Sequence, residues 1–347
     1  MALVCKPFDD KAETAWDGFV AAHAAGTFFH RAAWRRVIAR AFGHTAHYVM
    51  AERDGAIVGV LPLVHVKSLL FGQALISNPF CVYGGPLASE VEAAGALADY
   101  AAGLARKLGI GSVEFRTREA DTTPLPAGWV EGPERYVTFR KPILSDPEAN
   151  LQAIPRKQRA MVRKGIGYGL TAKIGHAVEP LYRIYAESVR NLGTPVFARR
   201  YFQALLDTFA DCADVLTVFD GEAPIAAVLN FYFRDEVLPY YGGGTAKARG
   251  RAANDFMYWE VMRHAAARGC TLFDFGRSKI GTGAFSFKKN WGFSPTPLRY
   301  RYYLGPGEAV PEKNPLNPKY QLMIAAWKRL PLWLANLLGP AIVRGIG

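Results

Sequence analysis

Two widely separated stretches of this chain follow one plan. Residues 48–66 read YVMAERDGAIVGVLPLVHV, apolar runs on either side of Asp54-Gly55, and residues 215–233 read VLTVFDGEAPIAAVLNFYF, apolar runs on either side of Asp220-Gly221. Asp-Gly between such runs is the chemistry of a tight hairpin turn, whose central residues need positive φ. Each hairpin is followed by a segment ending in Tyr-Gly-Gly, at Tyr83-Gly84-Gly85 and at Tyr241-Gly242-Gly243. An alanine-rich helix follows in each copy, expected over 88–108 and 252–268, with Gly109 and Gly269 placed as C-caps. A strand closes each copy, SVEFR at 112–116 and LFDFG at 272–276. Hairpin, strand, helix, strand, repeated over most of residues 1–305, predicts two similar α/β domains in tandem.

The length of 347 residues suits about two domains. The boundaries expected are 1–145, 146–305 and 306–347. Ser145–Ala153 serves as linker, and helices at 148–168, 178–192 and 199–210 open the second domain. A Pro-rich connector at 305–318 leads to a C-terminal helical tail. Forty-two Lys and Arg against 30 Asp and Glu give a net charge of +12, which favours polyanionic company: nucleic acid, nucleotide-bearing substrates or an anionic membrane face. Cys5, Cys81, Cys212 and Cys270 form no CxxC pair, so neither a zinc site nor a disulfide framework is indicated, and a reducing cytoplasm fits. His44 and His47 stand as HxxH without a neighbouring acid or cysteine, so no metal site is expected. The first residues, MALVCKPFDDKAETAW, lack the basic start and apolar core of a signal peptide.

Charge and aromatic residues concentrate in FDFGRSKIGTGAFSFKKNWGF, Phe273–Phe293. Glycines permit close backbone approach, rings offer stacking faces, and Arg277, Lys279, Lys288 and Lys289 attract anions. The stretch reads as a site for a phosphorylated or carboxylated group, or as a surface loop with a hydrophobic anchor. A second basic feature is PRKQRAMVRKG, where Arg156, Arg159 and Arg163 fall within about 60° on a helix. No acid occurs from Pro155 to Tyr168. Anion binding and a solvated helix face both fit that stripe.

Strand, Gly-rich turn, long helix and strand resemble the acetyltransferase (GNAT) fold, and two such domains in tandem resemble the FemAB-like aminoacyl and acyl transferases. DFGRSKIGTGAFSFKKNWGF, the PRKQRAMVRKG run and NLGTPVFARRYF at 191–202 are similar to the FemAB-like proteins of bacterial exopolysaccharide and exosortase (PEP-CTERM) systems. The fold class expected is therefore α/β (α+β), two tandem GNAT-like domains with a C-terminal helical tail. The activity implied is transfer of an acyl or aminoacyl group to an amine on a cell-envelope or exopolysaccharide precursor. A non-catalytic GNAT scaffold that binds a polyanion is the alternative.

The resemblance also assigns residues. Phe287-Lys288-Lys289-Asn290-Trp291-Gly292 matches the FemAB FKxxFG-like segment, which gives Lys288 the active-site lysine role. Lys288 and Arg277 would neutralise developing charge or hold an acceptor anion. Tyr241, at the strand end where GNAT folds splay, would protonate the leaving group. Asp274 is a candidate base, or else a structural acid paired with Arg277. Candidate substrate contacts are Arg156, Arg159, Arg163, Ser278, Lys279, Thr282, Phe287, Lys289, Asn290 and Trp291. KARGRA is a near match to the GNAT loop that holds the donor pyrophosphate, which makes Lys247, Arg249, Gly250, Arg251 and Ala252 the donor site; PLASEV in the first domain lacks these features. No tightly bound cofactor is implied. The donor would be acyl-CoA, acyl carrier protein or aminoacyl-tRNA, and the absence of a heptad-bearing insertion weighs against tRNA. With no Ser-His-Asp or Cys-His set, direct transfer in a ternary complex is expected.

The tail, KYQLMIAAWKRLPLWLANLLGPAIVRG, holds fourteen uncharged residues between Arg329 and Arg344, short of the roughly 20 that a spanning helix needs. Its Trp, Leu and flanking basic residues suit a membrane interface and a protein peripheral to the inner membrane, or a face packed on the second domain.

Overall fold

The structure, a computed structural model, describes residues 2–68, 71–118, 124, 126–311 and 318–347. In chain order the first elements are β1 (Val4–Pro7), α1 (Glu13–Ala22), α2 (Trp34–Phe42), β2 (Thr45–Ala46), β3 (Val49–Arg53), β4 (Ala56–Leu61), β5 (Leu63–Ser68) and β6 (Gly72–Ser77). Then come β7 (Leu87–Ala88), α3 (Val91–Leu108), β8 (Ser112–Arg118), β9 (Trp129–Glu131), β10 (Tyr136–Pro142), α4 (Pro147–Ala153), α5 (Arg156–Gly167) and β11 (Thr171–Gly175). They are followed by α6 (Val178–Leu192), α7 (Arg199–Thr208), β12 (Ala213–Asp220), β13 (Ala223–Phe233), β14 (Glu236–Gly244), α8 (Ala246–Gly250) and α9 (Ala253–Ala267). The last are β15 (Leu272–Lys279), α10 (Gly283–Asn290), β16 (Pro295–Leu304), α11 (Pro318–Arg329) and α12 (Leu332–Arg344).

Two compact units emerge, and both are discontinuous in sequence. The first takes the chain up to Tyr136, the stretch from Pro297, and Arg344–Gly347; the second takes Val137–Thr296 and the tail to Val343. This departs from the expected boundaries at 145 and 305. The reason is strand pairing: β16 runs antiparallel to β8, from Leu298↔Arg118 to Leu304↔Ser112, so a late strand completes the first unit. The expected linker is also ordered, since Asp146 caps α4 by accepting from Glu148 N and Ala149 N. The single helix expected over 148–168 breaks into α4 and α5 at Pro155, which lacks the N–H needed to continue a helix. Residues 312–317 of the expected connector lie outside the described residues.

Within the first unit the strand orders are β1-β3-β4-β7 and β16-β8-β6-β5-β2. Asp54 and Gly55 both hold positive φ, 55° and 79°, as the hairpin chemistry requires. Helix α3 buries Ala93, Leu97, Ala98, Ala101 and Ala105 in the core, and ends at Gly109 with φ 65°.

In the second unit the order is β11-β12-β13-β14-β15-β10. Successive residues of a strand face opposite sides, and the glycines of β14 show what covers each side. A Cβ at Gly242 would meet the Tyr258 hydroxyl of α9 at 3.3 Å, while one at Gly243 would collide with Ser188 of α6. Two helices therefore press on opposite faces of β14, and glycine is the residue that lets both approach. Parallel strands β14 and β15 pair only at Glu236↔Leu272 and Val237↔Phe273. The residues beyond those pairs carry the candidate site.

Candidate active site

Strand β15 turns at Gly276, whose φ of 66° only glycine adopts freely. The Asp274 carboxylate fixes that turn: its Oδ1 accepts from Gly276 N at 2.7 Å. Past the turn, Gly281 and Thr282 start α10, with Thr282 Oγ1 accepting from Phe285 N at 3.3 Å as N-cap. The far end of α10 is anchored by Trp291, fully buried, which donates its indole N–H to Asp255 Oδ1 at 3.0 Å. Phe287 packs beside it, with ring centroids 5.7 Å from Tyr258 and 6.2 Å from Phe275. Thr282, Phe287 and Trp291, expected as substrate contacts, thus cap and anchor the helix, while Lys289 and Asn290 are exposed.

That anchoring aims Lys288 back at the strand. Its Nζ donates to Gly276 O and Arg277 O, both at 3.0 Å, and lies 5.7 Å from the ring centres of Phe139 and Phe275. Loss of water around the ammonium lowers its pKa to about 7; Asp274 opposes the shift and Arg277 adds to it. Two N–H groups occupied by carbonyls leave one position on the nitrogen, a third N–H when charged and a lone pair when neutral. This amine can therefore exchange a proton near neutral pH.

Where pairing with Arg277 is the expectation, Asp274 lies against Arg140. Its Oδ2 lies 3.3 Å from Arg140 Nε, a guanidinium that also pairs with Glu236. With Gly276 N on its other oxygen and 1% exposure, Asp274 serves the turn and is no open base. Ser278, at 5% exposure, has no hydrogen-bond partner for its Oγ among the described residues. Among the described residues it is the expected substrate contact that is both buried and without a hydrogen-bond partner. Tyr241 is buried, its hydroxyl 2.9 Å from that of Tyr201, within a cluster that includes Tyr185 and Phe202. Sequence reasoning missed Tyr258. It sits on α9, its ring 4.6 Å from Phe275 of β15 and its hydroxyl near Gly242 of β14, and burial pushes its pKa up to about 12. Its place in the middle of a helix gave no signal; contact with both diverging strands identifies it.

The expected donor loop is short helix α8 and its cap, and two of the three cations, Lys247 and Arg251, are already engaged. Arg251 donates to both oxygens of Asp220, at 2.6 and 3.1 Å, and Lys247 Nζ lies 2.8 Å from the same carboxylate. These contacts, Arg251 first, lower the Asp220 pKa to about 2. The first N–H of α8, Ala246 N, donates to Glu187 Oε1 at 2.8 Å. Arg249 and Gly250 are exposed and Ala252 is buried at φ 53°. A diphosphate seated here would meet two carboxylates. Asp220→Asn is accordingly expected to tighten coenzyme A binding by about three- to tenfold, since it frees two cations at a solvated site; isothermal titration calorimetry on both proteins checks this, and an unchanged Kd would show that the diphosphate does not seat at α8.

Residues 151–289 match the acetyltransferase (GNAT) domain family. That match lies within the second unit. No curated protein sequence matches the chain. Solved structures show that the likeness in fold extends to the first unit. FemX covers 92% of this chain and 100% of its own, at TM-score 0.69 and 17% identity. A tandem GNAT protein from the clavulanic acid biosynthesis pathway covers 88% and 100%, at TM-score 0.54 and 14% identity. L-PGS from Bacillus licheniformis covers 93% and 97%, at TM-score 0.53 and 13% identity. The chain thus shares its fold with FemX and the tandem GNAT protein, and it carries C-terminal helices.

In the second unit α5 rests on α9 through Gly165, where a Cβ would stand 2.8 Å from Phe256 Cβ. Its outer face carries Arg156, Lys157, Arg163 and Lys164, exposed and without an ion pair among the described residues; Arg159 instead bonds Gln152 O at 3.0 Å. The first unit holds a feature the sequence did not reveal, a cavity of about 250 Å³ bordered by Arg116, Arg118, Arg301, His30 and Trp129, with no carboxylate among the described residues of its lining. His30 is buried and neutral: its Nδ1 accepts from Thr27 N, its Nε2 faces Gly85 O at 3.0 Å, and desolvation lowers its pKa to about 3. The Trp129 indole N–H has no acceptor among the described residues.

Proposed function

We propose that the GNAT domain transfers an acyl or aminoacyl group from an activated donor directly to an amine, with Lys288 as the proton acceptor. The observation that carries this reading is the carbonyl-held amine with a pKa of about 7 beside the diverging strands. A general base works best when its pKa is near the working pH. The neutral acceptor amine attacks the donor carbonyl, forming the C–N bond. Lys288 takes the amine proton, the C–S or C–O bond to the carrier breaks, and the proton returns from Lys288 to the leaving sulfur or oxygen. Ser278 Oγ is available to hydrogen-bond the transient oxyanion.

The donor classes in view are acyl-CoA, acyl carrier protein and aminoacyl-tRNA. Occupied cations at α8 argue against free coenzyme A, and the acid-free face of α5 suits an anionic macromolecular carrier. The net charge of +12 suits an oxygen-rich, anionic acceptor of the kind found among envelope and exopolysaccharide precursors. To test the function, each of the three donors is supplied with an isotope-labelled acyl group alongside an amine-bearing envelope-precursor extract, and labelled amide is sought by mass spectrometry. Amide formed by the protein and not by Lys288→Met supports transfer. Retention of a polyanion without consumption of any donor would favour a binding scaffold instead.

A further inference from the structure

The C-terminal helices have two unlike sides. Inward, Ile324 closes on Gly193 so tightly that a Cβ there would collide with it, and Arg190 Nη1 donates to Lys328 O at 3.3 Å. Gly339 lies against Val196, where a Cβ would stand 2.9 Å from the Val196 nitrogen, and Ala335 is buried at 1% exposure. This side is the packed face. Outward, Leu322 and Met323 of α11 are 78% and 63% exposed, and Trp333, Leu337 and Leu338 of α12 are 68%, 68% and 43% exposed. Trp333 and Leu337 are one helical turn apart, so they stand on one stripe.

Such a concentration of large apolar side chains in water marks a surface that binds something. From 318 to 347 the charges are Lys319, Lys328, Arg329 and Arg344, with no Asp or Glu. We infer that this face lies on an anionic membrane surface, its Leu, Met and Trp side chains at the headgroup boundary and Arg329, two helical turns from Leu322, against lipid phosphates. A second copy of the chain would bring the same basic rim against itself, whereas anionic lipid complements it. Spanning is excluded by length: the 13 residues of α12 rise about 20 Å against a hydrocarbon core of about 30 Å. No helix among the described residues is long and apolar enough to cross.

The test is co-sedimentation of the full chain with vesicles of phosphatidylcholine alone and of phosphatidylcholine mixed equally with phosphatidylglycerol. Binding to the mixed vesicles is expected to weaken as salt rises. The triple variant Trp333→Ser, Leu337→Ser, Leu338→Ser should lose about tenfold or more in partitioning, with Tm retained because all three side chains are exposed. Arg329→Gln should weaken binding to the anionic vesicles and flatten its salt dependence. Sedimentation of the triple variant equal to wild type would overturn the inference. So would indifference of the full chain to both vesicles, whether or not light scattering then shows the patch joining two copies.

Discussion

Replacing Lys288 by methionine is expected to lower the rate of transfer by about 10²- to 10⁴-fold, the usual contribution of a general base. Lys288→Arg should lose as much, although it keeps the charge, because a guanidinium does not release its proton in the working range. Equal losses in the two variants separate proton transfer from simple charge neutralisation; a role in neutralising charge would spare the arginine. In the wild type, kcat should rise as pH increases through about 7, the pKa that desolvation gives this amine. Stability follows the same proton. An unfolded lysine titrates near 10.4, so between about 7 and about 10 the unfolded chain binds more protons than the folded one, and wild-type stability rises across that window. Methionine carries no proton, so the Tm of Lys288→Met relative to wild type should fall as pH is raised from neutrality; parallel thermal melts across that range check the sign.

The largest expected loss of stability comes from Trp291→Ala, about 3–5 kcal/mol for removal of a buried aromatic side chain. Trp291 is fully buried, and its removal also strips Asp255 of the indole N–H that it accepts. A buried carboxylate that loses one of its donors adds to the cost. Chemical denaturation measures the change. Trp291→Phe should cost less, because a ring still fills much of the site while the Asp255 contact is lost. If Trp291 instead contacted substrate, the substitution would raise KM and leave the denaturation midpoint where it was.

Much of the architecture was legible because it is written locally. Asp54-Gly55 announces its turn through two residues that must both take positive φ, and Val178–Leu192 forms a helix over the span its pattern predicts. The exchange of β16 into the first unit could not be read, since strand pairing joins segments that share no local signal. The site divides in the same way. Lys288 was found through a motif, yet its carbonyl cradle depends on the turn at Gly276 and on Trp291 being held by Asp255, 36 residues away. KARGRA read as a phosphate site because its cations are local and the acid that holds them, Asp220, lies 31 residues before Arg251. Trp129 escaped notice because a lone tryptophan is ordinarily core, and only the absence of an indole acceptor beside a cation-lined cavity sets it apart.

The claim at the centre of this account is that Lys288 is an amine held ready to exchange a proton near neutral pH. Competitive acylation of the folded wild-type protein with a small amine-reactive reagent, read lysine by lysine by mass spectrometry across a pH series, measures that property without knowledge of the substrate. A midpoint near pH 7 is expected for the Lys288 peptide, well below the ordinary lysine value of about 10.4. A Lys288 midpoint at that ordinary value would contradict the role given to this amine.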